Sequence, residues 1–154
     1  MLGGTAIVWR NLISLWRPRF DEHTAQTVTS VTDTMFPGDG LPGATELGIS
    51  DRIVAMPDLH SMMIDAVDWL DTMARGQGAA NFLGLDASGK SAVVGAAFES
   101  ADEDVKQFAL TIRYYGALNY YSAPAIRAAF AYTGPPQPQG FPDFQSPPAK
   151  NPPQ

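Results

Sequence analysis

The sequence contains no cysteine among its 154 residues. A disulfide, a thiolate nucleophile, an iron-sulfur cluster and a cysteine-ligated zinc site are therefore excluded within this chain. Long apolar runs are also missing, since the early apolar stretch of residues 2–9 is far shorter than the ~20 residues that a membrane-spanning helix needs. Charged residues make up only 17% of the chain, as expected of a surface that a partner partly covers.

Positive charge is scarce, and the start of the chain carries no negative charge to balance it. The net charge is −6, and Arg10, Arg17 and Arg19 are the only charged side chains before Asp21, so the remainder carries −9. An acidic body argues against nucleic acid as a partner, because lysine and arginine must neutralise phosphates. The basic start instead fits a protein partner or an anionic membrane surface.

Residues 9–20 also carry large apolar side chains at helical spacing, namely Trp9, Leu12, Ile13 and Trp16. We expect this stripe to pack on the domain or on a partner, and membrane-surface contact through residues 9–20 stays as an alternative. No paired arginines precede an apolar run, so no export signal is visible in the sequence.

Catalytic motifs are likewise missing. His23 and His60 lack the HxxxH or HExxH spacing of a metal site, and no GxSxG nucleophile turn occurs. Residues 84–91, GLDASGKS, match the phosphate-loop pattern from Gly84 to Ser91, but no apolar strand precedes them. We therefore expect no catalytic, cofactor-binding or metal-binding residue in this chain. A small nucleotide-binding protein that uses Lys90 and Ser91 stays as an alternative.

Apolar residues recur at helical spacing, and no segment shows strand alternation bounded by hairpin turns. The sequence thus predicts an all-α protein, an irregular bundle of about five helices with an extended proline-rich C-terminal arm. The helices are predicted around residues 28–35, 57–75, 88–99 (or from 91), 101–118 and 122–130. The predicted organisation is an extension over 1–20, a helical domain over 21–133 and an arm over 134–154, which holds eight of the thirteen prolines.

Several side chains receive specific positions from these patterns. Ser122 is predicted to cap the last helix, with Pro124 in its first turn. The aspartates of the second helix are predicted on a solvated face: Asp58, Asp65, Asp68 and Asp71. The inward residues of the second, third and fourth helices are predicted to be Leu59, Met62, Met63, Ala66, Val67, Leu70, Met73, then Ala92, Val93, Ala96, Ala97, then Val105, Phe108, Ala109, Ile112 and Tyr115.

Between the first two helices the chain must turn, because Pro37 and several glycines make continuation of the first helix improbable. Asp39 followed by Gly40 suits a turn with positive φ at the glycine, and Pro42 followed by Gly43 suits a type II turn. Residues 44–47 are expected to add one helical turn that closes at the glycine of position 48.

This turn region resembles a known family. The stretches that carry the resemblance are Thr32-Asp33-Thr34-Met35-Phe36-Pro37-Gly38-Asp39, Pro42-Gly43-Ala44 and Glu46-Leu47-Gly48-Ile49, followed by Tyr120-Tyr121-Ser122 with Pro124 and Ile126-Arg127, and by Tyr132 with Gly134-Pro135 and Gly140-Phe141-Pro142. Together they resemble the gluconate 2-dehydrogenase subunit 3 family over about residues 25–143.

The resemblance implies a non-catalytic small subunit that stabilises a large FAD-dependent dehydrogenase of the glucose-methanol-choline type, which oxidises sugars, glycosides or sugar acids. It implies FAD in the partner and no cofactor in this chain, a cytochrome c as electron acceptor, help with export or maturation, and a periplasmic location, with a cytoplasmic one as the alternative. The expected contact residues are Phe36, Pro37, Asp39, Pro42, Tyr114, Tyr115, Tyr120, Tyr121, Tyr132, Phe141 and Phe144.

Overall fold

The computed structural model describes residues 20–131, and every regular element in that range is helical. The α-helices are α1 (Glu22–Met35), α2 (Ile49–Val54), α3 (His60–Gly76), α4 (Ala87–Phe98), α5 (Glu103–Ser122) and α6 (Pro124–Ala129). Two 3₁₀ helices, Pro57–Leu59 and Phe82–Gly84, precede α3 and α4. The predicted all-α irregular bundle is confirmed, and α2 is a helix that the sequence patterns did not predict. Residues 1–19 and the predicted arm over 134–154 lie outside the described range.

Aspartate side chains begin three of the helices. Asp21 accepts a hydrogen bond from the Thr24 amide at 2.8 Å, and Asp86 accepts one from the Gly89 amide at 2.7 Å. Asp102 caps α5 in the same way, and the two acidic residues that follow it lie near the positive end of the helix dipole. The amide of Thr24, and then its hydroxyl, hold the pKa of Asp21 below the ordinary value of 3.8.

The core lies where α1, α3, α4 and α5 meet, and α2 closes it against α1 and α5. The predicted inward stripes supply five of its largest side chains, namely Met63, Leu70, Val93, Phe108 and Ile112. The largest apolar side chains of the core are at most 1% exposed. They are Val28, Val31, Ile49, Ile53, Met63, Leu70, Phe82, Val93, Phe108, Ile112 and Ile126. Burial of one such side chain stabilises the fold by about 1.5–3 kcal/mol.

Two predicted inward positions are wrong. Ala92 is exposed and Val94 is buried in its place on α4, while Met73 is 36% exposed and Ala74 is fully buried on α3. On α3 the side chain one position further along faces the core, because 3.6 residues per turn leave two neighbouring positions nearly equivalent at the edge of a stripe. On α4 the core stripe extends from Val93 to Val94 instead of from Val93 back to Ala92. The size of the side chain did not decide which residue of α3 faces the core, since an alanine rather than a methionine occupies the inner position.

The predicted N-cap at Ser122 is also wrong. Helix α5 continues to Ser122, whose hydroxyl donates to the Leu118 carbonyl at 2.5 Å. Ala123, with extended backbone, is the residue between α5 and α6, and Pro124 occupies the first turn of α6 as predicted. Pro124 explains this backbone, because a residue before proline is disfavoured in the helical region.

Asp71 does not lie on a solvated face. Asp58, Asp65 and Asp68 are exposed, but the Asp71 side chain is 13% exposed. Its Oδ2 atom lies 2.7 Å from Nε2 of His23, and its Oδ1 atom accepts a hydrogen bond from the amide at position 82 at 2.9 Å. This carboxylate therefore ties α3 to α1 and to the loop before α4.

Candidate functional site: an apolar groove along α5

Two acidic side chains fasten the loop between α1 and α2. The carboxylate of Asp33 accepts hydrogen bonds from the amide of Thr45 at 2.9 Å and from its hydroxyl at 2.6 Å. Oε2 of Glu46 accepts a hydrogen bond from the amide of Gly43 at 2.9 Å. Both carboxylates belong to the stretches that carry the family resemblance, and their role here is to hold the loop in one conformation.

Glycines with positive φ shape the same loop. Gly40 has φ of +95°, which confirms the turn predicted there. Gly48 has φ of +64° and closes a helical turn, in which its amide donates to the Thr45 carbonyl and the Ile49 amide donates to the Ala44 carbonyl, both at 2.9 Å. This pair of bonds is a Schellman motif, so the predicted closure at Gly48 is confirmed.

The type II turn predicted at Pro42 and Gly43 is wrong, because the φ angle of Gly43 is not positive. Glycine is required at this position for space. A Cβ atom on Gly43 would lie 2.8 Å from the backbone nitrogen of Gly38 and 3.3 Å from the carbonyl oxygen of Phe36. The two sides of the loop therefore approach backbone to backbone, and a larger residue would separate them.

Phe36, at the end of α1, packs against α5 where that helix has no side chain. A Cβ atom on Gly116 would lie 3.0 Å from Cζ and 3.1 Å from Cδ2 of the Phe36 ring, and closer still to Cε2. The ring also lies 5.3 Å from the ring of Tyr120, centroid to centroid. We call this contact the Phe36–Gly116 notch. It fixes the loop onto α5 at the edge of the surface described next.

The outer face of α5 carries large apolar side chains that the fold leaves exposed. Leu110, Tyr114, Leu118 and Tyr121 are spaced by four, four and three residues, and they are 37%, 63%, 54% and 59% exposed. They lie along adjoining depressions, which we call the α5 groove. The central depression, of about 870 Å³, is lined by Met35, Phe36, Phe98, Leu110, Arg113, Tyr114, Ala117, Leu118 and Tyr121.

Both ends of the α5 groove continue beyond this centre. At one end, the ring of Tyr121 lies 6.4 Å from the ring of Phe130, which is 63% exposed, and Ser122 and Arg127 complete the lining. At the other end, Leu110 and Tyr114 are shared with a smaller depression lined by Leu59, Gln107, Thr111 and Tyr115. The groove is an open surface along about four turns of helix rather than an enclosed ligand cavity.

The predicted contact residues differ widely in how much of each side chain is exposed. Tyr114 and Tyr121 are exposed in the α5 groove, Tyr115 is half-buried, and Tyr120 is 8% exposed and packs in the core. On the loop, Phe36 and Pro42 are half-buried, whereas Pro37 and Asp39 are exposed. Tyr132, Phe141 and Phe144 lie outside the described residues, and the contact role of the whole set stays a prediction.

Leu110, Leu118 and Phe130 belong to the groove but were not among the predicted contact residues. A signal for two of them was present in the sequence, because Leu110, Tyr114 and Leu118 form a second apolar stripe at i, i+4 and i+8 on the helix. The inner stripe of the same helix supplies the core, so packing within the domain does not explain the second stripe.

The histidines take part in internal contacts. His60 is half-buried, with its ring stacked on Phe20 at a centroid distance of 3.8 Å and its Nε2 atom 2.9 Å from the Val54 carbonyl oxygen. His23 pairs with Asp71. Within the range 20–131, no group of three or more histidine, aspartate or glutamate side chains is arranged to hold a metal ion.

The segment that matches the phosphate-loop pattern folds differently from such a loop. Its start belongs to a 3₁₀ helix, and Asp86 caps α4 by accepting the hydrogen bond of the Gly89 amide. A phosphate loop needs its amides free to cradle phosphate, whereas here a carboxylate already occupies that position. Lys90 and Ser91 line a small surface depression next to α1. No helix among the described residues is long and apolar enough to cross a membrane.

Residues 20–131 thus form a small helical domain that carries an open apolar groove along α5. The family model of gluconate 2-dehydrogenase subunit 3 matches residues 22–134. The chain therefore belongs to this family, and the resemblance found in the sequence is confirmed. Membership implies an accessory subunit of a multi-subunit dehydrogenase complex. No curated protein and no solved structure matches the chain.

Proposed function

We propose that this chain is the non-catalytic small subunit of a heteromeric FAD-dependent dehydrogenase of the glucose-methanol-choline type. The large subunit binds FAD and removes the hydride from a sugar, a glycoside or a sugar acid. The small subunit binds the folded large subunit and stabilises it. A periplasmic location, assistance with export or maturation, and a cytochrome c electron acceptor complete the proposal, and these three elements rest on the family alone.

The α5 groove is the observation that supports a role in protein contact. Tyrosine and leucine side chains that remain more than half exposed in the isolated chain still have apolar area to bury. Full burial of a large apolar side chain is worth about 1.5–3 kcal/mol, so burying the remaining half of each contributes about 1 kcal/mol. Tyrosine also keeps its hydroxyl at the rim of an interface, which suits a groove that carries two exposed tyrosines.

Stabilisation of the large subunit follows from mass action. A partner that binds only the folded state shifts folding by about 2.7 kcal/mol when its free concentration is a hundred times Kd. No chemistry by the small subunit is required for this effect. The hydride transfer needs a flavin site, which the family assigns to another chain.

The test is to purify the full chain, with an affinity tag, under native conditions from its own source, and to record the visible spectrum and the masses of the proteins in the complex. We expect a yellow complex that contains a much larger chain with bound FAD and sugar-dependent reduction of the flavin. A second measurement compares the half-life at elevated temperature of the large chain with and without the small one. A colourless monomer, or a partner without flavin, would contradict the proposal.

A further inference from the structure

The side chains that line the α5 groove differ from the other described side chains in charge as well as in polarity. Residues 20–131 contain fifteen acidic and six basic side chains, so an evenly mixed surface would place acids throughout. Among these described residues, none of the acids lines the groove, whereas two of the six basic side chains do, Arg113 in the centre and Arg127 at one end. In an acidic protein, the described residues that line this apolar groove thus include basic side chains and no acidic one.

Arg113 is oriented by an aromatic side chain. Its Cζ atom lies 5.0 Å from the centroid of the Phe98 ring, a cation-π distance, and the residue is exposed. Neither the His23–Asp71 pair nor the Lys106–Glu103 pair involves Arg113, and Arg113 has no carboxylate partner among residues 20–131. A guanidinium that rests on an aromatic ring keeps its N–H edge available for a carboxylate, which it can bind through two parallel hydrogen bonds.

These observations define the chemistry of the occupant. We propose that the α5 groove binds an apolar segment of the large flavin subunit that carries a carboxylate, and that this carboxylate pairs with Arg113. The inference rests on the proposed function and names the surface and the group by which the two subunits recognise each other. The leucines and tyrosines contribute affinity, whereas Arg113 fixes the register in which the segment lies.

Net charge argues against a second copy of this chain as the occupant. Each copy carries −6, so two copies repel one another over the rest of their surfaces. The chain's own residues 141–144, Phe-Pro-Asp-Phe, offer a carboxylate between aromatic residues and thus share the chemistry of the proposed occupant. The experiment must therefore separate three sources of one chemistry: the large subunit, a second copy and the same chain.

The first experiment measures the Kd of full-length variants for the flavin subunit purified from the complex, at low and at moderate salt. We expect Arg113→Glu and Leu118→Ala each to raise Kd at least tenfold, and Arg113→Glu to reduce the salt dependence of Kd. The matched controls are Arg75→Glu, an equal charge change on α3, and Met73→Ala, an exposed apolar residue outside the groove, which should stay within twofold. Thermal unfolding of each free variant shows that it is folded.

The outcomes separate the two proposals. If the wild-type chain binds the flavin subunit and both groove variants bind it equally well, the groove inference is wrong while the proposed function stands. If the wild-type chain binds no flavin subunit, both are wrong. Weakening by Leu118→Ala alone would overturn the assignment of Arg113 as the carboxylate-binding group.

The second experiment uses the lack of cysteine in the chain, because one introduced thiol is then a unique probe. A maleimide should modify Leu118→Cys and Met73→Cys at similar rates in the free full-length chain. In the complex, we expect modification of Leu118→Cys to slow at least tenfold while that of Met73→Cys is unchanged. Protection of Leu118→Cys in the free chain at every concentration would identify the chain's own segment as the occupant, and protection that grows with concentration would identify a second copy. Either result would overturn the proposal.

Discussion

Replacing Gly116 by alanine tests the contact that joins the loop to α5. Alanine in place of glycine inside a helix ordinarily stabilises a protein by about 0.5–1 kcal/mol. At this position the new methyl group would lie within about 3 Å of three atoms of the Phe36 ring. Overfilling a packed site costs about 1–3 kcal/mol. We therefore expect Gly116→Ala to range from neutral to about 2 kcal/mol destabilising.

The control is the same substitution where there is room. A Cβ atom on Gly95, in α4, meets no atom within 4 Å, so Gly95→Ala should show the gain in helix propensity without a clash. The free energies of unfolding of the two variants should differ by about 1–3 kcal/mol. For a chain of this size, each kcal/mol shifts Tm by about 2–4 °C, so thermal unfolding followed by circular dichroism resolves the difference.

A double-mutant cycle then assigns the cause. In a Phe36→Ala background the ring is absent, so Gly116→Ala should stabilise the protein by about as much as Gly95→Ala does. The reasoning would be refuted if Gly116→Ala were as stabilising as Gly95→Ala while Phe36 is still present. It would also be refuted if the loss of stability in Gly116→Ala persisted without the phenylalanine.

Three further substitutions test the contacts of single residues. Asp71→Ala should lower the free energy of unfolding by about 1.5–3 kcal/mol, because a half-buried carboxylate gives up two hydrogen bonds, whereas Asp65→Ala on the exposed side of α3 should change it by less than about 0.5 kcal/mol. Gly43→Ala should cost about 1–3 kcal/mol since its Cβ would meet backbone, and Gly76→Ala, with open space, should cost nothing. Asp21→Ala should cost about 1 kcal/mol at pH 7.

The cost of Asp21→Ala should depend on pH in a known direction. The pKa of Asp21 is lowered in the folded state, so its contribution is fully present above the ordinary value of 3.8 and is lost as pH falls through the lower folded pKa. The free energies of unfolding of wild type and variant, measured by chemical denaturation, should therefore converge as the pH falls below the folded pKa of Asp21. A cost of the variant that stays constant to the most acidic pH would contradict the pKa assignment.

Equal stabilities of Asp71→Ala and Asp65→Ala, or a harmless Gly43→Ala, would contradict the contacts assigned to those residues.

Helix type and the core stripes followed from the sequence because both depend on local spacing. One inward position on each of α3 and α4 was still misplaced, since Ala74 rather than Met73 and Val94 rather than Ala92 face the core. The burial of Asp71 could not be predicted from the pattern of its own helix, because its partner His23 is 48 residues away in the sequence. Long-range pairing of this kind carries no periodic signal.

The candidate site was predicted only in part for a related reason. The tyrosines at the end of α5 were recognised as contact candidates, but neighbours in sequence separate in space: Tyr120 points into the core and Tyr121 into the groove. The loop that resembles the family by sequence proves to be held by its own carboxylates, and of its predicted contact residues Phe36 reaches the α5 groove as part of its lining. Sequence similarity located the region, whereas the groove itself emerges only when α1, α4 and α5 come together.

The Phe36–Gly116 notch also has a consequence for the order in which the chain folds. Its two residues are 80 positions apart in the sequence, so the contact forms only after the segment between them has closed into a loop. Closing such a loop costs more conformational entropy than forming a helix, so the contact forms more slowly than the helices do. A nascent or partly folded chain can thus contain α5 and yet lack the Phe36 wall of its groove. A partner that requires the complete groove would select finished subunits over unfinished ones, and assembly would then act as a checkpoint on folding.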